Sequence, residues 1–417
     1  MAEAVVERPG KGEDDPPRAT WRLLVDPQYG PFFYGKLLSS AGMWVNNVVS
    51  AIVAYQLSGS AFVVGLVSVA QFLPQTLLAP LSGAMADRGD RRRQLITGRI
   101  VAATGSTVVG TWILLVGVEN LPNVLPVLVA ALVVGFGFTI GHPAMHSLVP
   151  SLVKPSELPA AIALGNAPFT IARAGGPAVG ALVATSLGPG YGFLLAAAGN
   201  LAFAALLVPM KVGRRVGPRK PRDASSTVRA GFAYVRRDPS ILLLLLGVAA
   251  ISFGTDPVLT LSPSIAAASG SGSHAVGMLV SSFGVGAGLG LTLTRPVQGA
   301  IGIARACAAG LVVLAAGNLS AAASWSLPTA AGSFLVAGIG MSIALSSFST
   351  QLQLRLTDGF RGRVMALWIV AFQGTRPLAA LMSGSLADVS SATVSLVTVA
   401  GLITVAAFFC RPSRIGG

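Results

Sequence analysis

The amino-acid sequence predicts an all-α integral membrane protein with twelve transmembrane helices in two six-helix bundles. Hydrophobic residues make up 53% of the 417-residue chain and charged residues only 11%, whereas soluble domains carry about 25% charged residues. The apolar residues collect into runs long enough to cross a bilayer as α-helices. A basic segment near the middle of the chain divides these runs six and six.

The apolar runs predict the spans in chain order, since a membrane helix needs about 20 predominantly apolar residues. Six runs precede the basic segment: 32–57, 61–85, 95–117, 123–148, 158–186 and 190–210. Six runs follow it: 239–268, 274–294, 300–324, 327–355, 363–388 and 392–410. Many of them contain glycine or proline, which transmembrane helices tolerate because neighbouring helices bind the freed backbone groups.

The polar segments divide the chain into five predicted parts. These are a cytoplasmic N-terminal tail at 1–31, a first bundle at 32–210, a basic cytoplasmic linker at 211–238, a second bundle at 239–410 and a cytoplasmic tail at 411–417. The first part lacks the apolar core of a signal peptide. The linker places Val228, Phe232 and Val235 on one helical face, which predicts an amphipathic helix on the inner leaflet. A solvated linker helix is the alternative.

The distribution of basic residues predicts the orientation in the membrane. The formal net charge is +14, and the basic residues cluster at 88–93, 154, 211–237, 295, 355–363 and 411–414. The other connections, near 58–60, 118–122, 187–190, 269–273, 325–326 and 389–391, contain no Lys or Arg. Cytoplasmic loops carry an excess of Lys and Arg, so both termini are predicted to be cytoplasmic, facing an anionic inner leaflet. Topology accounts for the basic clusters, and the sequence argues against a nucleic-acid partner.

The segment GAMADRGDRRRQ, residues 83–94, is a short and highly charged connection between the second and third spans. Gly83 permits close helix packing. Asp87 lies where a carboxylate can accept hydrogen bonds from a helix N-terminus or pair with an arginine. Arg88 and Arg91 offer such partners, so the loop can hold one conformation through ion pairs and release it in another. The alternative is that the arginines serve only as topological anchors.

Ionisable residues inside the predicted spans are candidate functional groups, because burying them in a bilayer is costly. Arg173 and Arg376 lie well inside their runs; the alternative for Arg173 is a charge bound to carbonyls that fixes helix packing. Asp256, within FGTDPVL, is a candidate to load and release a proton. The alternative is that Asp256 caps a broken helix, since Asp-Pro is typical of a helix start. Arg99 and Arg305 lie near the inner ends and are predicted to extend to the interface.

Several other patterns argue against metal, nucleotide and catalytic chemistry. His142 and His146 share a helix face, but no neighbouring acid or cysteine completes a metal site. The glycines at 284–290 imitate a phosphate loop without the Gly-Lys-Ser/Thr that should follow, so close helix packing is the better interpretation. No catalytic constellation is present in the sequence. We expect a protein that is not an enzyme and binds no metal, cofactor or ATP.

The loop ADRGDRRR, residues 86–93, resembles in its spacing the loop 2–3 signature of the major facilitator superfamily. Asp90 stands where most members have glycine, which is similar to the branch of enterobactin exporters and drug-efflux permeases. The stretches NAPFTIARAGGPAVG at 166–180, FAYVRRDP at 232–239 and RGRVM at 361–365 extend the resemblance over nearly the whole chain. The counterpart loop in the second half, LTRPVQG at 293–299, departs from the signature.

The resemblance implies roles for particular residues of the major facilitator fold. It implies a latch between the two bundles in the outward-facing state, formed by Asp87 and Arg88 with Gly83 and Arg91 in support. The antiporter-type helix typical of exporters carries Arg173, Gly176, Pro177 and Gly180. Helices 1, 4, 7 and 10 line the cavity in this superfamily. The candidate cavity residues on these helices are Asn46, Asn47, His142, Asp256, Ser346, Ser347, Phe348 and Gln351, and Arg376 of the eleventh span is a further candidate.

These expectations define a secondary active transporter. We expect export of small amphipathic organic molecules, such as a drug, siderophore or secondary metabolite, by proton antiport with alternating access. The proton gradient is then the energy source. A monomer in a bacterial inner membrane, spanning it many times, is expected. An importer of a small solute with the same fold and a non-transporting membrane sensor or scaffold are the alternatives.

Overall fold

The computed structural model describes residues 20–210, 235–236, 238–356, 364–365 and 367–415, and for residues 79–88 it describes the backbone alone. Within these residues every regular element is a helix, so the predicted all-α fold is confirmed. Most of the predicted linker helix lies outside the described residues.

The helices are numbered here as spans in chain order. The first six spans are Tyr29–Ser58, Ala61–Arg88, Arg91–Val116, Leu125–Leu148, Leu158–Leu164 continued by Ala167–Ser186, and Pro189–Leu207. The second six begin with Pro239–Thr255 continued by Pro257–Thr260 and Ser262–Ala268, then His274–Ile301, Ile303–Ala322, Leu327–Arg355, Val370–Gly374 continued by Arg376–Val389, and Ala392–Phe409. A 3-10 helix at Thr20–Val25 precedes span 1, and the short helix Pro412–Ile415 follows span 12.

Ten of the described helices are long and apolar enough to cross a membrane. They correspond to every predicted span except 5 and 11. Span 5 is interrupted at 165–166, and its longer helix carries Arg173 among glycines and prolines, which make it less apolar. Span 11 is π-helical at Val370–Gly374 before the α-helix resumes. The remaining two spans are therefore present as broken helices, a form typical of functional regions in membrane proteins.

Two groups of helices form the molecule. Spans 1–6, the first bundle, pack mainly on one another, and spans 7–12, the second bundle, do the same. Small residues make this packing close, because lipid-embedded helices gain little from the hydrophobic effect and depend on van der Waals contact. In spans 3 and 4, a Cβ on Gly98 would lie 2.5 Å from the Gly137 carbonyl oxygen. An aromatic cluster with Phe32 and Phe203 fills the inner part of the first bundle, with ring centroids 5.8 Å apart.

The two bundles meet mainly through two helix pairs, span 5 with span 8 and span 2 with span 11. Following the predicted orientation, we call the end that carries residues 58–61 and 389–391 the outer end. A Cβ on Gly277 of span 8 would lie 2.4 Å from the Ala181 Cβ of span 5, and the Ser281 hydroxyl accepts from the Ala178 amide at 2.9 Å. Gln56 of span 1 also donates to Ser273 at 3.5 Å. These contacts join the bundles in their outer halves.

Candidate transport pathway

Asp256 lies inside span 7 at a proline interruption and is 4% exposed. Its backbone is helical, with φ −65° and ψ −42°, and its carboxylate makes no capping hydrogen bond. The carboxylate instead accepts from the Thr260 hydroxyl one turn later, at 2.9 Å. The structure therefore contradicts the capping alternative and leaves Asp256 as a buried carboxylate that accepts from a hydroxyl of its own span.

Arg376 begins the α-helical part of span 11, where its guanidinium Cζ lies 4.7 Å from the ring centroid of Phe72 in span 2. Arg376 and Asp256 lie close enough for their charges to interact. No carboxylate of the described residues, however, lies within the 4.0 Å of an ion pair from this guanidinium. Asp256 therefore has a cation nearby without being bound to it, so a change in its protonation breaks no salt bridge.

Arg173 reaches from span 5 of the first bundle into contact with the second. Its Cζ lies 5.6 Å from the ring centroid of Trp44 and 4.8 Å from that of Phe283. Its Nη1 lies 3.8 Å from the Met341 sulfur of span 10, and its Nε is buried without a hydrogen-bond partner. The charge is thus held by aromatic faces and not by the backbone carbonyls that the packing alternative requires.

The predicted antiporter-type stretch lies between span 1 and span 8. A Cβ on Gly176 would lie 2.8 Å from the Trp44 Cβ, and one on Gly180 would lie 3.0 Å from the Val45 Cα. On the other side, the Pro177 carbonyl oxygen would lie 2.8 Å from a Cβ on Gly277. The glycines therefore permit close packing within the first bundle, while the Pro177 region contacts the second.

The glycine run of span 8 has the packing role that the sequence indicated. A Cβ on Gly284 would lie 2.2 Å from the Arg173 carbonyl oxygen in span 5, and one on Gly286 would lie 2.0 Å from the Leu335 carbonyl oxygen in span 10. Gly290 faces span 10 in the same way. These glycines let span 8 pack closely on span 5 of the first bundle and on span 10 of its own bundle.

The predicted cavity residues of the first bundle have different surroundings. The Asn46 Oδ1 accepts from Ser106 of span 3 at 3.0 Å, so this side chain faces into the bundle. Asn47 is 5% exposed. His142 is half-buried and His146 exposed, with ring centroids 4.8 Å apart. Among the described residues, no group of three or more His, Cys, Asp or Glu side chains is placed to hold a metal.

The predicted cavity residues of span 10 lie on different faces of the helix and likewise have different surroundings. Phe348 is fully buried in the core of the second bundle, against Gly247 of span 7, so it contributes no cavity surface in this conformation. Gln351 donates through Nε2 to the Ile415 carbonyl at 2.7 Å, at the inner end of that bundle. Ser346 is half-buried and remains a cavity candidate.

The prediction for Arg99 was wrong. Arg99 is 2% exposed, its Nη1 donates to the Ser39 hydroxyl at 2.8 Å, and its Cζ lies 4.4 Å from the Phe138 ring centroid. Ser39 in turn donates to the Asn200 Oδ1 at 2.8 Å. Arg99 cannot extend to the interface because its side chain turns inward, between spans 1, 4 and 6. By contrast, Arg305 is exposed at the start of span 9, as predicted.

Lys36 is a second buried cation that sequence reasoning missed. It is 8% exposed, and its Nζ donates to the Gly165 carbonyl at 2.6 Å, where span 5 is interrupted. This interruption frees backbone carbonyls, and Lys36 satisfies one of them. The available signal was the spacing of Lys36 and Ser39, which places both polar residues on one face of span 1.

The charged loop between spans 2 and 3 binds the inner ends of two other spans of the first bundle. Asp90 caps span 3, its Oδ1 accepting from the amides of Arg92 at 2.9 Å and Arg93 at 3.2 Å. Arg91 donates through Nη1 to the Ser147 carbonyl at 3.2 Å, and Arg92 through Nε to the Leu207 carbonyl at 2.8 Å. These arginines therefore bind the C-terminal ends of spans 4 and 6, where cations are favourable.

The latch predicted in the same loop depends on side chains outside the described residues. Gly83, Asp87 and Arg88 lie in the backbone-only segment. Of the predicted latch residues, Arg91 has a described side chain, which contacts span 4. The latch contact of Asp87 and Arg88 with the second bundle stays a prediction.

The transmembrane secretion effector family model matches residues 19–415, which is nearly the whole chain. This chain belongs to the transmembrane secretion effector family of the major facilitator superfamily. It is a multi-pass membrane transporter and not an enzyme. This match confirms the membership of the major facilitator superfamily that the loop signature predicted.

Two curated bacterial proteins are similar to this chain. Macrolide efflux protein A of Streptococcus pyogenes is 27% identical over 239 residues, which are 54% of this chain and 57% of that protein. The chain thus matches little more than half of that relative's length. The enterobactin exporter of Salmonella typhimurium is 24% identical over 392 residues, 89% of this chain and 90% of that protein.

Solved structures of transporters share the fold of this family member. A bacterial homologue of the human lysosomal transporter Spinster, in an inward-facing unoccupied conformation, superposes with a TM-score of 0.72 at 14% identity, covering 94% of this chain and 96% of that one. A peptide transporter in complex with sulfate gives a TM-score of 0.74 at 14% identity, covering 94% and 97%. At these identities the likeness establishes the fold alone.

Proposed function

We propose that this transporter exports small amphipathic organic molecules by proton antiport with alternating access. The observation that carries the proposal is the buried Asp256 carboxylate, which lies near Arg376 without an ion pair and within a transmembrane helix. The relatives named as a macrolide efflux protein and an enterobactin exporter support export over import. We place the transporter in a bacterial plasma membrane with both termini in the cytoplasm.

The proposed coupling uses Asp256 as the proton carrier. A proton bound from the outside would be released to the cytoplasm after the bundles rearrange, while substrate moves outward. One proton crossing 100 mV supplies about 2.3 kcal/mol, which sustains roughly a fiftyfold gradient of an uncharged solute. Arg376 would stabilise the carboxylate after the proton leaves, and it would disfavour a cationic substrate at the same place.

The aromatic and polar groups around Arg173 are the proposed contacts of the substrate. Trp44, Phe283 and Met341 are buried beside one guanidinium in this conformation, and they would become apolar walls of the pathway when the bundles move apart. The Trp44 indole Nε1 and the Arg173 Nε are both buried donors without a partner in this structure. Such a combination of apolar walls and few polar groups suits an amphipathic ligand.

Everted membrane vesicles test the direction and the coupling together. A labelled macrolide and labelled enterobactin are the first probes, because the relatives are named for them. Accumulation inside inside-acid vesicles, abolished when the pH gradient is collapsed, is the expected result. Asp256→Asn should remove this accumulation. The matched control is Asp238→Asn, since Asp238 caps span 7 within the second bundle by accepting from the Ser240 amide at 2.9 Å.

Other results of the vesicle assay would overturn the proposal. Accumulation that requires inside-alkaline vesicles would indicate import. Full proton-driven accumulation by Asp256→Asn would remove Asp256 from the coupling. If neither probe moves, a screen of a deletion strain for accumulated or toxic compounds identifies the solute for the same assay.

A further inference from the structure

The outer end of span 2 is capped by a residue of the other bundle. Helices leave their first amides without intrahelical acceptors. The Val63 amide is satisfied by the Ser60 hydroxyl at 3.1 Å, an ordinary N-cap bond. The Ala61 amide donates to Asp388 Oδ1 at 2.7 Å, and the Phe62 amide donates to Asp388 Oδ2 at 3.2 Å. The Ser60 hydroxyl also donates to Asp388.

Asp388 belongs to the last turn of span 11, in the second bundle. Its carboxylate therefore binds the N-terminus of a helix in the first bundle, where the helix dipole favours a negative charge. A charge-assisted cap of this kind cannot persist when the outer ends of spans 2 and 11 separate. The three hydrogen bonds are thus specific to a conformation in which the outer end is closed.

The backbones of the two spans approach closely enough to position this carboxylate. A Cβ on Gly384, one turn before Asp388, would lie 2.6 Å from the Ala61 carbonyl oxygen. A Cβ on Gly65 of span 2 would lie 2.6 Å from the Ala380 carbonyl oxygen. Two glycines therefore let the helices pack backbone against backbone beside the cap.

The same residue pattern ends both helices. Span 2 closes with Ser82-Gly83-Ala84-Met85-Ala86-Asp87, and span 11 closes with Ser383-Gly384-Ser385-Leu386-Ala387-Asp388. Serine, glycine, alanine and aspartate recur at identical spacing. Because span 2 begins at the outer end and span 11 finishes there, the two aspartates lie at opposite ends of the molecule. The chain thus carries one copy of the pattern at each face of the membrane.

We propose that Asp388 is the outer latch of this transporter, a positioning residue whose carboxylate caps span 2 while the outer end is closed and releases it when the outer end opens. The proposal rests on the proposed alternating access. The latch predicted for Asp87 at the inner end is its counterpart, so that one aspartate is bound in each state. Removing the Asp388 carboxylate should favour opening of the outer end by about 2- to 30-fold, the usual range for losing a helix cap.

Distances between spin labels at the outer end test the latch directly. The labels are attached at Gln56→Cys and Ser273→Cys, whose side chains face each other across the two bundles. The native Cys307 and Cys410 are both buried, and the unsubstituted chain shows whether they react. In this doubly labelled chain, Asp388→Ala should shift population from the short distance to a longer one. Asp388→Asn, which keeps an acceptor but no charge, should shift it less.

Matched variants distinguish an error in the proposed latch from an error in the proposed alternating access. Asp238→Ala removes a cap that lies within one bundle and should leave the distance distribution unchanged. Gly384→Leu places a side chain against Ala61 and should force the outer end open. If Gly384→Leu lengthens the distance but Asp388→Ala and Asp388→Asn do not, the latch is wrong. If no variant or condition lengthens it, alternating access at this interface is wrong.

Discussion

The guanidinium of Arg173 lies 4.8 Å from the ring centroid of Phe283, and this contact joins span 5 of the first bundle to span 8 of the second. The same guanidinium also lies over Trp44 of span 1. A charge at the bundle interface is therefore stabilised by aromatic faces on both sides. Movement of the bundles during transport must change at least one of these contacts.

Replacing Arg173 should slow transport while leaving the fold intact. A lysine keeps the charge but loses the planar group that stacks on both rings. Cation–π contacts contribute about 0.5–2 kcal/mol, so Arg173→Lys should lower the transport rate between about twofold and thirtyfold. Initial rates of substrate accumulation in vesicles, normalised to protein level, are the measurement. Arg305→Lys, at an exposed position, is the control, and an equal loss in both variants would count against the role of the aromatic contacts.

Adjacent glycines in span 5 should differ sharply in their tolerance of alanine. A Cβ on Gly176 would lie 2.8 Å from the Trp44 Cβ, whereas a Cβ on Gly175 meets nothing within 4 Å. Overpacking costs about 1–3 kcal/mol, while Gly→Ala in an open helix position gains about 0.5–1 kcal/mol. Thermal unfolding in detergent should show a lower Tm for Gly176→Ala and an unchanged or higher one for Gly175→Ala. Equal behaviour would contradict the close packing of spans 1 and 5.

The hydrogen-bond chain from Arg99 should be sensitive to loss of its acceptor. Ser39→Ala leaves the Arg99 Nη1 unpaired inside the first bundle, and an unsatisfied buried donor costs about 1–3 kcal/mol. Ser58→Ala in the same span is the control, because the Ser58 hydroxyl bonds only to nearby backbone, donating to the Ala54 carbonyl and accepting from the Ser60 amide. Denaturant titration of the two variants provides the comparison. A Ser39→Ala protein as stable as Ser58→Ala would show that water replaces this hydroxyl.

Asp90 should stabilise the N-terminal end of span 3. Its carboxylate accepts from the Arg92 and Arg93 amides, and loss of such a cap costs about 0.5–2 kcal/mol. Hydrogen exchange of the peptide that contains these amides should therefore accelerate in Asp90→Ala and recover in Asp90→Ser. Unchanged exchange in Asp90→Ala would contradict the capping role and favour a function in gating.

Much of the fold followed from simple patterns in the sequence. The long apolar runs predicted the positions of the spans, because membrane helices must satisfy their backbone groups internally. The glycines of span 8 were predicted to pack closely, and they do so against spans 5 and 10. The interruptions were harder to place, because the break at 165–166 and the π-helix at Val370–Gly374 depend on tertiary contacts.

The orientation of side chains around each helix was the main source of error. Position along span 3 suggested that Arg99 extends to the interface, yet its helical face turns it into the bundle. Phe348 and Gln351 were placed in the cavity because span 10 lines it in the superfamily, but their faces point to the core and to Ile415. Hydropathy cannot resolve these faces, since buried and lipid-facing positions are both apolar.

Asp256 is proposed to carry the coupled proton, and proton movement in proteoliposomes tests this role most directly. A downhill gradient of the transported solute is imposed across vesicles that contain a trapped pH-sensitive dye. The wild-type protein should move protons in the opposite direction to the solute. Asp256→Asn should still pass the solute downhill but move no protons. Proton movement by Asp256→Asn equal to that of the wild type would contradict the account.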